Sequence, residues 1–302
     1  MTFVAIVAAV SIAFPPEGAV LPYLERCYVM GAADGGETGF KVSGFQGFKG
    51  SEVKVGKTGA WATVIDVKPG TNVVEVGGVK RAFVVEAGGT SKTGGTSRTY
   101  KKLEYAGDVA KPHPVGKKPA EITVVIDAGH GGHDNGAMSP HGLPEKDANL
   151  RLAKAVRDEL KRRGYKVVMT REDDTFVELY DRPKVAHGAN ADLFVSIHHN
   201  APGYATNPFT VRSQSVYAWN ALGERLARAI NGRMAAADPD LKNDGVLHAN
   251  FAVTRNPEIP SVLIEADFVT HPDGELAAWN AARRPAVAAA IADGIADWVA
   301  AE

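Results

Sequence analysis

The chain has 302 residues, enough for one large domain or two ordinary ones. Its 45% hydrophobic and 23% charged residues are those of a soluble globular protein. A net charge of -1 gives no reason to expect nucleic acid as a partner, and a single cysteine, Cys27, excludes an internal disulfide framework.

"FVAIVAAVSIAF", residues 3–14, is too short to span a bilayer as a helix. It reads either as a signal-peptide core, with Ala9-Val10-Ser11 as the cleavage site, or as a first β-strand running to Pro15. No Lys or Arg precedes it, so the charged start of a signal peptide is missing. Residues 1–88 then read as all-β. "RCYVMGAA", "FKVSGF", "SEVKVGK", "WATVIDV", "TNVVEVGG" and "VKRAFVVEAG" are short β-branched or aromatic runs punctuated by Gly, Pro, Asn and Asp. Their even spacing suggests a small sandwich. "GAWATVIDVKPGTNVVEV", residues 59–76, loosely resembles the strand-turn-strand end of bacterial immunoglobulin-like domains.

Residues 89–118 are rich in Gly, Ser, Lys and Pro and read as a linker. From 119 to 302 strands alternate with helices. "ITVVID" (122–127) is a strand and "EKDANLRLAKAVRDELKRRG" (145–164) an amphipathic helix with Leu152, Val156 and Leu160 on its apolar face. "YKVVMTR" (165–171), "ADLFVSIHHN" (191–200), "SVYAWN" (215–220) and "PSVLIEADF" (260–268) are further strands. "LYDRPKVAHGAN" (179–190) is a short helix, a second helix follows "SVYAWN", and "ELAAWNAARRPAVAAAIADGIADWVAA" is one last helix. No internal repeat and no transmembrane run is present. The alternation predicts an α/β fold: a mostly parallel sheet covered by helices, preceded by the small all-β sandwich-like domain. Ligands bind such sheets beyond the carboxyl ends of the strands, where His130, His198 and Glu265 all fall.

"VVIDAGHGGHDNGA", residues 124–137, carries two histidines in a glycine-rich loop, which suits either a phosphate loop or a metal site. A dinucleotide fingerprint needs a third glycine where Asp134 stands, and a helix that here does not begin until about Glu145. The Gly-Lys-Ser/Thr of a P-loop is absent, and Asp134 would repel a phosphate. Zinc favours histidine nitrogen and carboxylate oxygen, and a catalytic site keeps three protein ligands and one open position. His130, Glu145 and His198 make such a set, although nine histidines give many chance triplets.

Five motifs sharpen the choice. "VVIDAGHGGHDNGA", "GLPEKDANLRLAKAV", "VVMTREDD", "DRPKVAHGANADLFVSIHHNA" and "NPEIPSVLIEADFVTHPDGE" follow one another as in zinc-dependent N-acetylmuramoyl-L-alanine amidases of the Amidase_3 type. The stretch from 119 to 302 resembles that catalytic domain, which implies a phosphorylase/hydrolase-like α/β fold. Residue by residue, the resemblance makes His130, Glu145 and His198 the ligands of one zinc ion, and Glu265 the catalytic glutamate. It implies hydrolysis of the amide between N-acetylmuramic acid and L-alanine of the peptide stem, with Glu265 taking the proton of the attacking water and returning it to the leaving amine. Asp127, Arg182 and Asn200 are candidates for supporting the ligands or touching substrate. Asp127 either orients His130 or only caps its loop, and Arg171 and Arg182 serve structure through ion pairs. His133 reads as a surface group. His199, adjacent to a ligand on a strand, points to the opposite face. His113, His141, His187, His248 and His271 have no motif support.

Division-associated members of the family often insert a long helix that blocks the zinc before the glutamate strand. Here "DPDLKNDGVLHANFAVTRNPEI" reads as a connector with no room for one, so an open site that needs no activator protein is expected. The partner implied is peptidoglycan, with no stable membrane insertion, and the location implied is periplasmic or extracellular. Two other functions remain open: a zinc hydrolase cutting within the stem, and a wall-binding protein without catalysis.

Overall fold

The computed structural model describes residues 10–33, 40–44, 51–53, 55–87, 114, 116–256 and 258–301. The signal-peptide reading of residues 3–14 falls largely outside them, as do most of the 89–118 segment and His113; strand β1 (Val10–Phe14) begins inside. Seven further strands follow before residue 88: β2 (Val20–Leu21), β3 (Arg26–Ala33), β4 (Phe40–Gly44), β5 (Ser51–Val53), β6 (Ala60–Asp66), β7 (Gly70–Val76) and β8 (Val79–Val85). They form two sheets, ordered β1-β3-β6 and β2-β8-β7-β4-β5. Alternation decides the inner face: on β7, Asn72, Val74 and Val76 are buried while Thr71 and Val73 are exposed. Val29, Trp61 and Ile65 of the first sheet belong to one core with Val74, Phe83 and Val85 of the second. Asn72 is the one polar residue in this inward row, and its amide is satisfied by Lys68 N–H, Lys68 O and Gly70 O, which fastens the Lys68–Gly70 turn.

The second sheet system contains β9 (Thr123–Ala128), β10 (Lys166–Met169), β11 (Leu193–Asn200), β12 (Gln214–Ala218), β13 (Asn243–His248) and β14 (Ser261–Phe268) in the order β10-β9-β11-β14-β12-β13. β10, β9, β11 and β14 run parallel, while β12 is antiparallel to β14 and carries β13 parallel to itself. One face is covered by α1 (Glu145–Arg162), α3 (Ala221–Ala237) and α5 (Arg284–Ala300), whose Leu152, Val156, Leu226, Ile230, Ile291 and Ile295 share a core with Ile126, Val195 and Ile264. The other face meets α2 (Arg182–Gly188) through Ala186 and the 253–259 segment through Val253 and Ile259.

Two elements differ from the sequence reading. The connector before β14 contains edge strand β13, whose ends are polar and whose Gly245 has φ +81°, so alternation does not mark it. The last helix is two helices, α4 (Pro272–Trp279) and α5. Asn280 ends the first and its Oδ1 accepts Ala282 N–H at 2.9 Å. Pro285 lacks an N–H to continue a helix and fits only the first turn of a new one. The strands that matter for the site are the central three. β9, β11 and β14 are neighbours, Ser196 is in register with Asp127, and His198 with Glu265.

Candidate active site

The loop leaving β9 is bent by conformation and held by arginines. His130 has φ +60°, a left-handed backbone rare outside glycine and typical of functional sites. Arg171 donates to the carbonyls of Ala128, Gly129, Lys146 and Asp173, and Arg182 to those of Ala128, His130 and Val177. The third anchor is Asp127, fully buried, which accepts Thr170 Oγ1 at 2.6 Å, Ser196 Oγ at 2.6 Å and Arg182 Nη1 at 2.9 Å. Asp127 thus bonds Thr170, Ser196 and Arg182 rather than the His130 ring, and reaches that loop through Arg182. The acid on His130 is Asp134, whose Oδ2 lies 2.8 Å from Nδ1. The i,i+4 spacing of His130 and Asp134 across a tight glycine loop was the available signal.

Glu145 sits at the first position of α1, where the helix dipole favours a carboxylate. Its Oε2 accepts Ala137 N–H at 2.9 Å, and its Oε1 accepts Asn149 Nδ2 at 2.9 Å and His199 N–H at 3.2 Å. The same oxygens face the two histidines: His130 Nε2 is 3.2 Å from Oε2 and His198 Nδ1 is 3.1 Å from Oε1. One donor atom from each of His130, Glu145 and His198 lies within 4.8 Å of the others. Burial opposes the Glu145 charge, yet the hydrogen bonds from both histidines hold its carboxyl well below the usual range. Burial likewise opposes charge on His130, but Glu145 and Asp134 outweigh it and push the imidazole up to about 9. A centre that stabilises positive charge this strongly is suited to a cation. Two glycines make room for it: a Cβ on Gly129 would lie 2.1 Å from His198 Nε2, and one on Gly136 (φ +64°) 2.5 Å from Glu145 Oε2.

Glu265 enters from β14 beside His198. Its Oε2 is buried and has no hydrogen-bond partner. Burial, with the nearby Glu145 carboxylate, raises its pKa well above the usual range. His130, His198 and Glu265 line a cleft of about 440 Å³, walled by Phe176, Val177 and Leu179 on one loop and Phe251, Ala252 and Val253 on another.

The remaining residues separate from this group. Asn200 Oδ1 accepts the neighbouring Ala201 N–H at 2.8 Å and is not part of the cleft lining. Arg182 lines the cleft with its donors spent on Asp127 and carbonyls. His199 is buried, bonds Asn149 Oδ1 at 2.8 Å, and is pushed by burial down to about 4. The Asn149 link from His199 to Glu145 had no motif to announce it. His133 is exposed and packs tilted against Phe176, with ring centroids 4.0 Å apart. His187 faces Glu258, His248 faces Glu224, and His271 caps α4.

The N-acetylmuramoyl-L-alanine amidase family, Amidase_3, matches residues 124–297, more than half of the chain. The chain belongs to this family. AmiA of Escherichia coli, an N-acetylmuramoyl-L-alanine amidase, is 34% identical over 222 residues, covering 59% of this chain and 76% of AmiA. LytH of Staphylococcus aureus, a probable cell wall amidase, is 28% identical over 248 residues, covering 81% of this chain and 80% of LytH. The solved structure of the amidase AmiC2 of Nostoc punctiforme superposes with TM-score 0.56 at 36% identity, covering 59% of this chain and 97% of AmiC2. The chain is thus an amidase that hydrolyses peptidoglycan. Zinc dependence is general in the amidase family. No helix among the described residues is long and apolar enough to cross a membrane.

Proposed function

We propose that this amidase cleaves the bond between N-acetylmuramic acid and L-alanine with one zinc ion held by His130, Glu145 and His198, and with Glu265 as general base. The observation that carries the reading is the convergence of these three donors beside a buried carboxyl oxygen with no partner. The donor set fits the ion. Two imidazole nitrogens and a carboxylate, one donor atom from each residue within 4.8 Å of the others, are the nitrogen and oxygen ligands that zinc takes. Zinc in such a site supplies Lewis acidity and lowers the pKa of a bound water to about 7.

The protein's own part follows from Glu265. A carboxyl with a raised pKa holds a proton better than an ordinary glutamate, so Oε2 can take one from water and release it to the leaving amine nitrogen. Asp134 holds the His130 ring at Nδ1, leaving Nε2 for the ion. The apolar walls limit water around the amide. The cleft opens to solvent at His130 and His198, which are 23% and 18% exposed in their side chains. We take it to act without an activator protein, in the periplasm or outside the cell, where peptidoglycan lies. Incubation with peptidoglycan, with and without chelator and beside Glu265→Gln, tests this by mass spectrometry. Stem peptides beginning at L-alanine, lost in both controls, support it. Cuts inside the stem would overturn the bond assignment, and intact products after chelation would overturn the zinc.

A further inference from the structure

Two loops adjoin the proposed ligands, and both touch the N-terminal β region. The first runs from His130 to Glu145. Its tip is tight: Ser139 N–H donates to Leu143 O, Gly142 N–H to Ser139 O, and Leu143 N–H to Ser139 Oγ, each at 2.9 Å. Its base lies against the proposed ligands through Gly136 and through Ala137 N–H on Glu145 Oε2. At the tip His141 is a bridge. Its Nδ1 is 2.7 Å from Glu275 Oε2 on α4, its N–H donates to Glu275 Oε1, and its Nε2 is 3.1 Å from the carbonyl of Thr58, just before β6. Glu275 is 4% exposed, and a buried carboxyl needs such hydrogen-bond partners.

The second loop follows β11, which carries His198. The Tyr204 ring packs on the N-terminal core, stacked on Phe14 at 5.9 Å and tilted to Tyr28 at 6.4 Å. Its carbonyl accepts Tyr28 N–H at 2.7 Å. The need for that bond is visible in the sheet. β1 pairs with β3 only as far as Phe14 opposite Met30, so the buried Tyr28 lies beyond the end of its neighbour strand. A buried N–H left unpaired is costly, and Tyr204 stands in for the missing strand. Neither His141 nor Tyr204 lines the cleft.

We propose that the N-terminal β region braces the active site, with His141 and Tyr204 as positioning residues through which it holds the two loops that adjoin the zinc ligands. The inference rests on the zinc reading above. One contact is polar and the other aromatic, they lie on different loops, and each loop leads directly into a ligand. A region fastened at both points restricts the ligands to one geometry before the ion arrives, and such support raises metal affinity.

The test uses the full chain carrying His141→Ala, Tyr204→Ala or both, beside Tyr204→Phe; the backbone carbonyl of position 204 stays in every variant, and only Tyr204→Ala removes the ring that packs on Phe14 and Tyr28. Zinc affinity is read by competition with a chromophoric chelator, turnover on peptidoglycan fragments as kcat and KM separately, and amide hydrogen exchange by mass spectrometry. Each alanine should weaken zinc about 10-fold and the pair up to about 100-fold. kcat should fall with KM held, and Tyr204→Phe should restore both. Exchange should quicken in 136–143 for His141→Ala and in 201–207 for Tyr204→Ala. A double variant with parental zinc affinity and kcat overturns the brace. Should that variant fail to fold, unchanged exchange in both single variants overturns it instead. A parent chain that binds no zinc is a different result, for it removes the zinc reading itself.

Discussion

Asp127 and Asp134 flank the same histidine loop, and the structure gives them opposite jobs. Asp127 and Arg182 form an ion pair whose side chains are 0% and 5% exposed, and Asp127 also takes two hydroxyl hydrogens. Asp127→Ala leaves Arg182 with its three carbonyl acceptors but without a countercharge. Breaking one side of a buried pair costs about 3–5 kcal/mol. For a domain of this size each kcal/mol lowers Tm by about 2–4 °C, so the metal-free chain should melt about 6–20 °C lower. Asp134 is 43% exposed, and its pair with His130 is worth about 1 kcal/mol or less to folding. Asp134→Ala should instead weaken zinc about 10–100-fold, because Nδ1 loses the acceptor that fixes the ring. Thermal melts of chelated protein and zinc competition titrations on both variants separate the roles. If Asp127→Ala melts within about 2 °C of the parent while weakening zinc, Asp127 orients His130 and the assignment drawn here is wrong.

Four other outcomes follow from the same geometry. Glu265→Gln should lower kcat by about 10²–10⁴ with zinc still bound at stoichiometry, and a smaller loss would move the base elsewhere. Zinc affinity should climb with pH as far as about 9, because below that the ion must displace the proton held on His130; a flat profile above pH 7 would count against Glu145 and Asp134 holding that proton. His199 is buried neutral, with a folded pKa of about 4 against about 6.5 unfolded. Stability is therefore full above about pH 6.5 and falls by up to about 3 kcal/mol as pH drops towards 4, and His199→Gln should flatten that limb in urea titrations. Gly136→Ala places a methyl against Glu145 and His130 at a positive φ, so it should abolish measurable zinc binding, whereas tight binding would mean the loop relaxes freely.

The parts of this molecule legible from sequence are those built on period. β9, β11 and β14 are largely apolar runs because both their faces are buried, and the chemical residues fall close to their carboxyl ends: His130 just past β9, His198 near the end of β11 and Glu265 in the second half of β14. α1 shows a clean apolar stripe from Leu152 to Leu160. β13 escaped because an edge strand with an exposed, polar rim carries little alternation. The break between α4 and α5 hangs on Asn280 and Pro285 within a sequence otherwise favourable to helix throughout. In the site, the residues missed are those that act through another residue. Asn149 joins His199 to Glu145 and Asp134 holds His130; Arg171 and Arg182, read from sequence as ion-pairing structural residues, also bind carbonyls of the β9 loop, contacts that depend on loop path. His141 and Tyr204 show the same limit at longer range, since their partners Thr58 and Tyr28 lie 83 and 176 positions away along the chain. Strand order sets which three chain ends meet, but the ångström-scale placement of imidazole against carboxylate is decided by these second contacts. Two central strands in register bring His198 and Glu265 side by side, whereas His130 and Glu145 arrive on a sixteen-residue loop whose two ends are fixed and whose middle must be held. That loop carries Asp134, Gly136 and His141, and Arg171 and Arg182 reach its start from beyond β10 and from α2.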